Sequence, residues 1–236
     1  MKSIKKLIYK FIYYVYKLIR PKSFTFQNKK INYENSFYNT SFINERSIEV
    51  PIVKELILEE TLSKNICSNE NTKKFEILEI GNVLSYYNIN LKRDIVDKYE
   101  QAENVINEDI EFFNPGKKYD LIISISTLEH VGNDAPEEID SAKLGRVLKH
   151  ITENLISETG TIIITLPINQ NKNTDSYIFS NSLSGKIFHN FKVFERNSFL
   201  FNLWKEIPYK KIEGIYRNKP VFIKHVYIAK LTNTVK

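Results

Sequence analysis

The chain is poor in the residue types that build disulfides and metal sites. It has one cysteine in 236 residues, so no internal disulfide can form, which is typical of a reducing compartment. Cys67 lies in a polar stretch without a candidate base nearby, and this disfavours a catalytic thiol. His150, His189 and His225 are scattered without the spacing of metal ligands. We therefore predict a cytoplasmic protein without a metal site.

Long uncharged apolar runs are also missing. A membrane-spanning helix needs about 18 or more apolar residues with few charges. The segment Met1–Arg20 comes nearest to this, but Lys10 and Lys17 interrupt it. It also lacks the uninterrupted apolar core and the small-residue cleavage site of a signal peptide. The pattern predicts neither a membrane span nor a signal peptide.

Acidic residues are absent from the first thirty positions, which carry nine lysines and arginines. The rest of the chain is slightly acidic, so the net charge of +6 belongs to one end. A nucleic-acid-binding domain is expected to carry basic residues over a whole face. We therefore expect no nucleic-acid partner.

The segment Met1–Arg20 has the pattern of an amphipathic helix, with apolar residues at i, i+3 and i+4 and lysines mainly on the other face. Its apolar positions are Ile4, Leu7, Ile8, Phe11, Ile12, Val15 and Ile19. Two interpretations remain open. Residues 1–20 lie on an anionic membrane, at its inner face, or they dock on their own domain or on a second subunit. Residues 21–47 show no clear period, so we predict a helix and linker over 1–47 and the folded domain over 48–236.

Short Val- and Ile-rich runs then follow at nearly even spacing. Continuous apolar runs of this length suit strands buried on both faces, as in a parallel sheet covered by helices. Five runs are Phe75–Gly81, Asp94–Asp97, Val105–Asp109, Tyr119–Thr127 and Thr161–Pro167. Two later runs are Phe191–Phe194 and Val221–Leu231, the last with the alternation of an edge or antiparallel strand. We predict an α/β fold with a mostly parallel seven-stranded sheet and helices on both faces.

Helices are predicted between the strands. Asn44–Leu58 is expected to become helical after Pro51, since proline is tolerated in a first turn. A short helix is expected over Val83–Tyr87. A longer one is expected to start at Asn133 or Asp134, with a buried stripe that runs from Leu144 to Leu155.

Acidic residues stand at the ends of the first three runs, at Glu79, Asp97 and Asp109. The carboxyl ends of parallel strands line the crevice in which open α/β sheets bind ligands. We therefore expect these three carboxylates to share one cleft.

The order of these motifs resembles the class I S-adenosylmethionine-dependent methyltransferases. The resemblance covers about Glu76–Pro167 and is carried by EILEIG, IVDKYE, VINEDI, YDLIISISTLEHV and ETGTIIITLP. It implies a Rossmann-like fold with S-adenosylmethionine as cofactor. It also implies that Glu79 and Gly81 surround its methionine end, that Asp97 holds the ribose hydroxyls and that Asp109 contacts adenine. The cofactor-binding residues predicted with it are Glu79, Gly81, Asn82, Asp97, Asp109, Ser126 and Arg46.

The first motif departs from the family pattern of acid-x-Gly-x-Gly-x-Gly. Val83 and Ser85 replace the second and third glycines. Glycine serves there because a ligand approaches the backbone without a Cβ in its way. Two outcomes are open: the turn takes another path, or the affinity for cofactor is reduced or lost.

The segment Thr127–Val131, TLEHV, supplies the candidate catalytic residues. His130, next to Glu129, has the chemistry of a general base for a hydroxyl or amine acceptor. It has equally the chemistry of a residue that fixes the end of the fourth strand. Arg46 has the chemistry to bind a cofactor carboxylate bidentately or to form a surface ion pair.

Three functional readings follow from the sequence. The first is a methyltransferase that acts on a small molecule, a sugar or a lipid-linked glycan. The second is a Rossmann-like scaffold or binding module without cofactor affinity. A nicotinamide-dependent enzyme ranks below both, because the Gly-x-Gly-x-x-Gly turn is absent.

Overall fold

The computed structural model describes residues 2–67, 74–133, 139–179, 191–198, 202–208 and 224–232. Its helices are α1 (Lys2–Ile19), α2 (Arg46–Cys67), α3 (Lys143–His150) and α4 (Lys172–Phe179). A small hairpin is formed by β1 (Ser23–Phe26) and β2 (Lys29–Asn32). The main strands are β3 (Ile77–Ile80), β4 (Asp94–Val96), β5 (Tyr119–Ile125), β6 (Ile156–Pro167), β7 (Phe191–Ser198), β8 (Leu203–Ile207) and β9 (His225–Thr232).

The main sheet has seven strands in the order β4-β3-β5-β6-β9-β7-β8. The seven-stranded Rossmann-like fold is as expected, but the sheet is mixed rather than mostly parallel. The four strands β4, β3, β5 and β6 run parallel, while the pairs β6–β9, β9–β7 and β7–β8 are antiparallel. The chain leaves β3 toward β4 on one side and returns as β5 on the other. This reversal of strand order creates a crevice at the carboxyl ends of β3 and β5.

Two apolar layers cover the sheet. On one face, Ile52 and Leu56 of α2 pack with Ile123 and Ile163, together with hairpin residues. On the other face, Val147 of α3 packs with residues of the same strands that point the opposite way. Helices therefore cover both faces, as the continuous apolar runs predicted.

The predicted third strand, Val105–Asp109, does not form. Only an isolated bridge joins Val96 and Ile106. The backbone before this bridge turns at Asn104, whose φ is 69°, and the Asn107 amide bonds the carbonyl oxygens of Asp97 and Lys98. The seventh strand is instead β8, which the sequence analysis did not identify.

Residues 21–47 contain more structure than a linker. Gln27 and Asn28 have φ values of 49° and 63°, the positive pair that a tight hairpin turn requires. Phe24 and Phe26 are buried in the core of the α2 face. The division of the chain at residue 47 stays a prediction.

Two predicted helix starts shift. Helix α2 begins at Arg46, so Pro51 lies inside it. Proline has no backbone N–H to donate to the carbonyl oxygen of Ser47 four residues earlier. The backbone N–H of Glu34 donates to that oxygen instead, at 2.9 Å. Helix α3 begins at Lys143 rather than near Asn133. The other start considered, Asp134, lies outside the described residues.

Candidate functional site

A cleft opens at the carboxyl ends of the parallel strands, where the strand order reverses. Its empty volume is about 530 Å³ when the open mouth is included. Its walls come from β3 and β4, from the loops after them and from the segment after β5. The lining residues are Ile80, Gly81, Val96, Asp97, Lys98, Tyr99, Glu108, Asp109, Ile110, Thr127, His130, Val131, Gly132 and Lys143. Four of the predicted site residues, Gly81, Asp97, Asp109 and His130, are therefore brought together.

Glu79, which directly precedes Ile80 and Gly81 of the cleft wall, is fully buried. Both of its carboxylate oxygens accept hydrogen bonds from its own chain. Its Oε1 accepts the backbone N–H groups of Val83 and Leu84 at 2.8 and 2.7 Å. Its Oε2 accepts Arg93 Nε at 2.5 Å. Burial raises the pKa of Glu79, and Arg93 and the two amides oppose that rise. Glu79 therefore holds the turn in shape.

Gly81 is the one position of this turn where glycine is obligatory. Its φ of +84° is a conformation that L side chains rarely adopt, and an added Cβ would stand 2.3 Å from Thr127 Oγ1. The turn thus brings its backbone against the segment after β5, at the wall of the cleft.

Val83 and Ser85 do not strain the turn. Val83 has helical dihedrals, φ −88° and ψ −47°, and a 3₁₀ turn spans Leu84–Tyr87 in place of the predicted helix. The Ser85 hydroxyl accepts Arg93 Nη2 at 2.9 Å. The turn therefore follows a path that requires glycine only at Gly81.

Asp97 follows β4 at the wall of the cleft. Its Oδ1 accepts the backbone N–H groups of Tyr99 and Glu100 at 2.8 and 2.7 Å. Within the described part of the chain, its Oδ2 has no hydrogen bond. Because Oδ1 is fixed by two amides, Oδ2 is held as an acceptor at the edge of the cleft.

Asp109 lies opposite Asp97, but its carboxylate is bonded by the protein itself. Its Oδ2 accepts Lys143 Nζ at 2.6 Å and Lys98 Nζ at 2.9 Å, and its Oδ1 accepts the Glu111 amide at 3.0 Å. Burial opposes ionisation, yet the two lysines outweigh it and lower the pKa of Asp109 to about 2. The negative charge at this end of the cleft is therefore largely neutralised.

The other predicted binding residues lie beside the cleft. The Ser126 hydroxyl donates to Glu49 Oε1 at 2.6 Å, and Arg46 donates to the carbonyl oxygen of Ile125 at 2.9 Å. Asn82 donates to Glu100 at 2.8 Å. None of the three lines the cleft in the described part of the structure.

Glu129 and His130 occupy different environments. The His130 side chain is 59% exposed and lines the cleft. Glu129 is buried, and its Oε2 has no hydrogen-bond partner among the residues described. Burial raises the pKa of Glu129 well above its usual value, with Glu49 and Glu45 adding to the rise and Arg46 opposing it.

We expect Glu129→Gln to stabilise the protein increasingly as pH rises. Above about pH 4.5 the unfolded carboxyl releases its proton while the folded one keeps it, so wild-type stability falls until the folded pKa is passed. Each pH unit in that window costs about 1.4 kcal/mol. Urea unfolding between about pH 5 and about pH 8 measures the difference, with the exposed Glu153→Gln as control. A difference independent of pH would contradict the assignment.

Several residues that shape the site were missed from the sequence. Arg93 closes the turn under the cleft, Lys143 neutralises Asp109, and Thr127 meets Gly81. Arg93 directly precedes β4, so its position at a strand start was the one available signal.

Metal clusters and membrane-spanning helices are both absent from the described residues. These residues contain no group of three or more His, Cys, Asp or Glu side chains that could hold a metal ion. No helix among them is long and apolar enough to cross a membrane.

Comparison with known proteins gives matches by structure alone. No protein-family profile matches the chain, and no curated protein sequence does. The chain is similar to the N-methyltransferase NodS from Bradyrhizobium japonicum WM9, bound to S-adenosylhomocysteine, at 11% identity and a TM-score of 0.45, over 81% of this chain and 94% of NodS. A methyltransferase from Clostridium acetobutylicum ATCC 824 matches at 16% identity and a TM-score of 0.38, over 75% of this chain and 89% of that protein.

The plantazolicin methyltransferase BpumL in complex with S-adenosylhomocysteine matches at 15% identity and a TM-score of 0.36, over 98% of both chains. All three of these solved structures are methyltransferases by name.

Proposed function

We propose that the protein is an S-adenosylmethionine-dependent methyltransferase. The observation that supports it most is the cleft at the point of strand reversal, which both the obligatory Gly81 and Asp97 line. An acceptor oxygen held rigid by two amides suits the two adjacent hydroxyls of a ribose. A backbone without a Cβ suits the close approach of a ligand.

Different residues of the proposed site bind the cofactor and keep the surrounding turn rigid. The cofactor supplies an electrophilic methyl group when it is bound. Gly81 and Asp97 bind and orient it, and Glu79 with Arg93 keeps the turn rigid. Asp109 holds Lys98 and Lys143 at the adenine end instead of offering a free carboxylate. Alignment of the acceptor with the methyl group then accounts for most of the rate increase.

We place the acceptor beside His130, at the mouth of the cleft. Its exposed imidazole has the chemistry to accept a proton from a hydroxyl or amine of a small molecule, sugar or lipid-linked glycan. Glu129 beneath it, with its raised pKa, presents a neutral carboxyl rather than a second negative charge. Ser126 and Arg46 support the same wall through Glu49 and the end of β5.

The alternative is a scaffold without cofactor affinity. Its support is that Glu79 and Asp109 are both bonded by the protein itself. Asp97 is the acidic residue of the three that keeps an oxygen open, so it decides between the two readings.

We expect Asp97→Asn to weaken binding of S-adenosylhomocysteine by about 1–3 kcal/mol. Asparagine retains an oxygen for the Tyr99 and Glu100 amides but loses the charge that strengthens a bond to a ribose hydroxyl. Isothermal calorimetry measures the change. Asp94→Asn, at the opposite end of β4, is the matched control and is expected to leave the affinity unchanged. Absence of binding heat in the wild type at millimolar ligand would favour the scaffold.

A further inference from the structure

Helix α1 is attached to the domain by one face. The ring of Tyr13 packs edge-on against Phe42 and Phe37 at centroid distances of 5.2 and 5.9 Å, and Tyr16 packs on Phe42 at 5.8 Å. Arg20 at the helix end is buried and donates to the Phe42 carbonyl oxygen at 2.7 Å. The tyrosine face, rather than the aliphatic face, is therefore the side that docks.

The aliphatic face of α1 points away from the domain. Leu7, Phe11, Tyr14 and Leu18 are 70%, 69%, 61% and 85% exposed. Their spacing of four, three and four residues places them in one row along the helix. Ile4, Ile8 and Ile19 are also exposed and widen this row into an apolar strip. Single exposed apolar residues are ordinary, but a continuous strip marks an interaction surface.

A basic groove continues this strip at its end. Tyr14 and Leu18 line it together with Lys17, Arg20 and Lys22, and the hairpin residues Asn32 and Tyr33 form the other wall. The strip and the groove share residues, so one partner can occupy both.

Arg20 lines this groove, and the ring of Tyr33 lies over its guanidinium, with 3.7 Å between the ring centroid and Cζ. The residue is 6% exposed, and its buried Nε and Nη2 have no hydrogen-bond partner among the residues that the structure describes. No carboxylate forms an ion pair with it within the described ranges. Burial lowers the pKa of Arg20 to about 10. The buried guanidinium is closed to a ligand from outside, so the groups that an anion in the groove would meet are the lysines that line it, Lys17 and Lys22.

The chemistry of the strip selects the partner. A second copy of the helix would find apolar residues at heptad spacing, but the first thirty residues carry nine basic side chains and no acid. Two such helices repel and lack the opposite charges that pair helices. A lipid bilayer with anionic headgroups offers acyl chains to the strip and phosphates to the lysines and the groove.

We propose that α1 seats the protein on an anionic membrane surface, with its exposed strip in the acyl boundary and lipid phosphates at Lys17 and Lys22 of the groove. This inference is independent of the proposed function. The helix lies in the plane of the surface, with Lys10 and Lys17, seven residues apart, along one flank at headgroup level.

Vesicle flotation of the full chain tests the strip. Wild type is expected to float with vesicles that contain about 30 mol% anionic phospholipid and to be released as salt rises from about 0.1 M to about 0.5 M. The triple variant Leu7→Ser, Phe11→Ser and Leu18→Ser is expected to lose about a hundredfold or more in partition coefficient. The control makes the same changes at exposed residues of the domain, Leu58, Leu62 and Phe112, and is expected to float as wild type.

A second pair of variants tests the groove. Lys17→Gln with Lys22→Gln is expected to lower the partition coefficient about thirtyfold, since each lysine near the surface contributes about 1 kcal/mol. Lys92→Gln with Lys149→Gln is the matched control. Equal flotation of wild type and the strip variant would overturn the proposal. A dimer that the strip variant abolishes, or a thermal shift with inorganic phosphate but no flotation, would also overturn it.

Discussion

Replacing Arg93 by methionine is expected to cost about 3–5 kcal/mol of the free energy of unfolding at neutral pH. The side chains of Arg93 and Glu79 are 5% and 0% exposed, and their ion pair is 2.5 Å long. Methionine leaves the carboxylate of Glu79 buried with two backbone amides as its remaining partners. Urea unfolding at about pH 7 measures the loss.

The design separates a buried pair from an exposed one. Arg146 also binds two carboxylates, those of Glu111 and Asp140, but its side chain is 49% exposed. Arg146→Met is therefore expected to cost less than about 1 kcal/mol. Glu79→Gln combined with Arg93→Met is expected to recover part of the loss, because the buried charge is gone and an oxygen still accepts the amides of the turn.

The pH dependence supplies an independent check. Burial already raises the pKa of Glu79, and loss of Arg93 raises it further. A raised folded pKa lowers stability as pH rises above the unfolded value, so the penalty of Arg93→Met shrinks on acidification from about pH 8 to about pH 5. A penalty that stays constant over that range would mean that lost packing, rather than charge, destabilises the variant.

The parallel half of the fold was readable because its pattern is local. Continuous apolar runs ending at Glu79 and Asp97 mark strands buried on both faces, and their spacing fixes the order of the first crossovers. The prediction of a strand from an apolar run was wrong at Val105–Asp109. Two apolar residues are too few to distinguish a strand from a loop that hydrogen bonds of its side chains hold in place. Apolar runs also did not reveal β8, whose residues depend on pairing with β7.

The site divides in the same way. The positions of Gly81 and Asp97 in the cleft follow from their register at the ends of β3 and β4. Asp109 also lines the cleft, but it does so from a loop, because its predicted strand does not form. The sequence does not tell which groups of the protein bond each carboxylate. Arg93, the partner of Glu79, lies 14 residues away along the chain, and Lys143, the partner of Asp109, lies 34 residues away. Only the folded chain distinguishes an acid that binds its own protein from one that is open to a ligand.

Gly81→Ala is expected to destabilise the protein by about 3 kcal/mol or more, from two sources that can be separated. Its φ of +84° strains any L residue, and the new methyl meets Thr127 Oγ1 at 2.3 Å. Gly116→Ala isolates the first source, since Gly116 has φ +65° with nothing within 4 Å of an added Cβ. That control is expected to cost about 1 kcal/mol.

A second-site variant then separates packing from ligand approach. Thr127→Ala removes the nearest atoms of the clash and is expected to restore part of the stability of Gly81→Ala. Both residues line the cleft, so the added methyl still takes up space at its wall. The double variant should therefore regain melting temperature while its affinity for S-adenosylhomocysteine stays reduced, as calorimetry would show. Full recovery of affinity together with stability would mean that Gly81 shapes the turn without contacting the ligand.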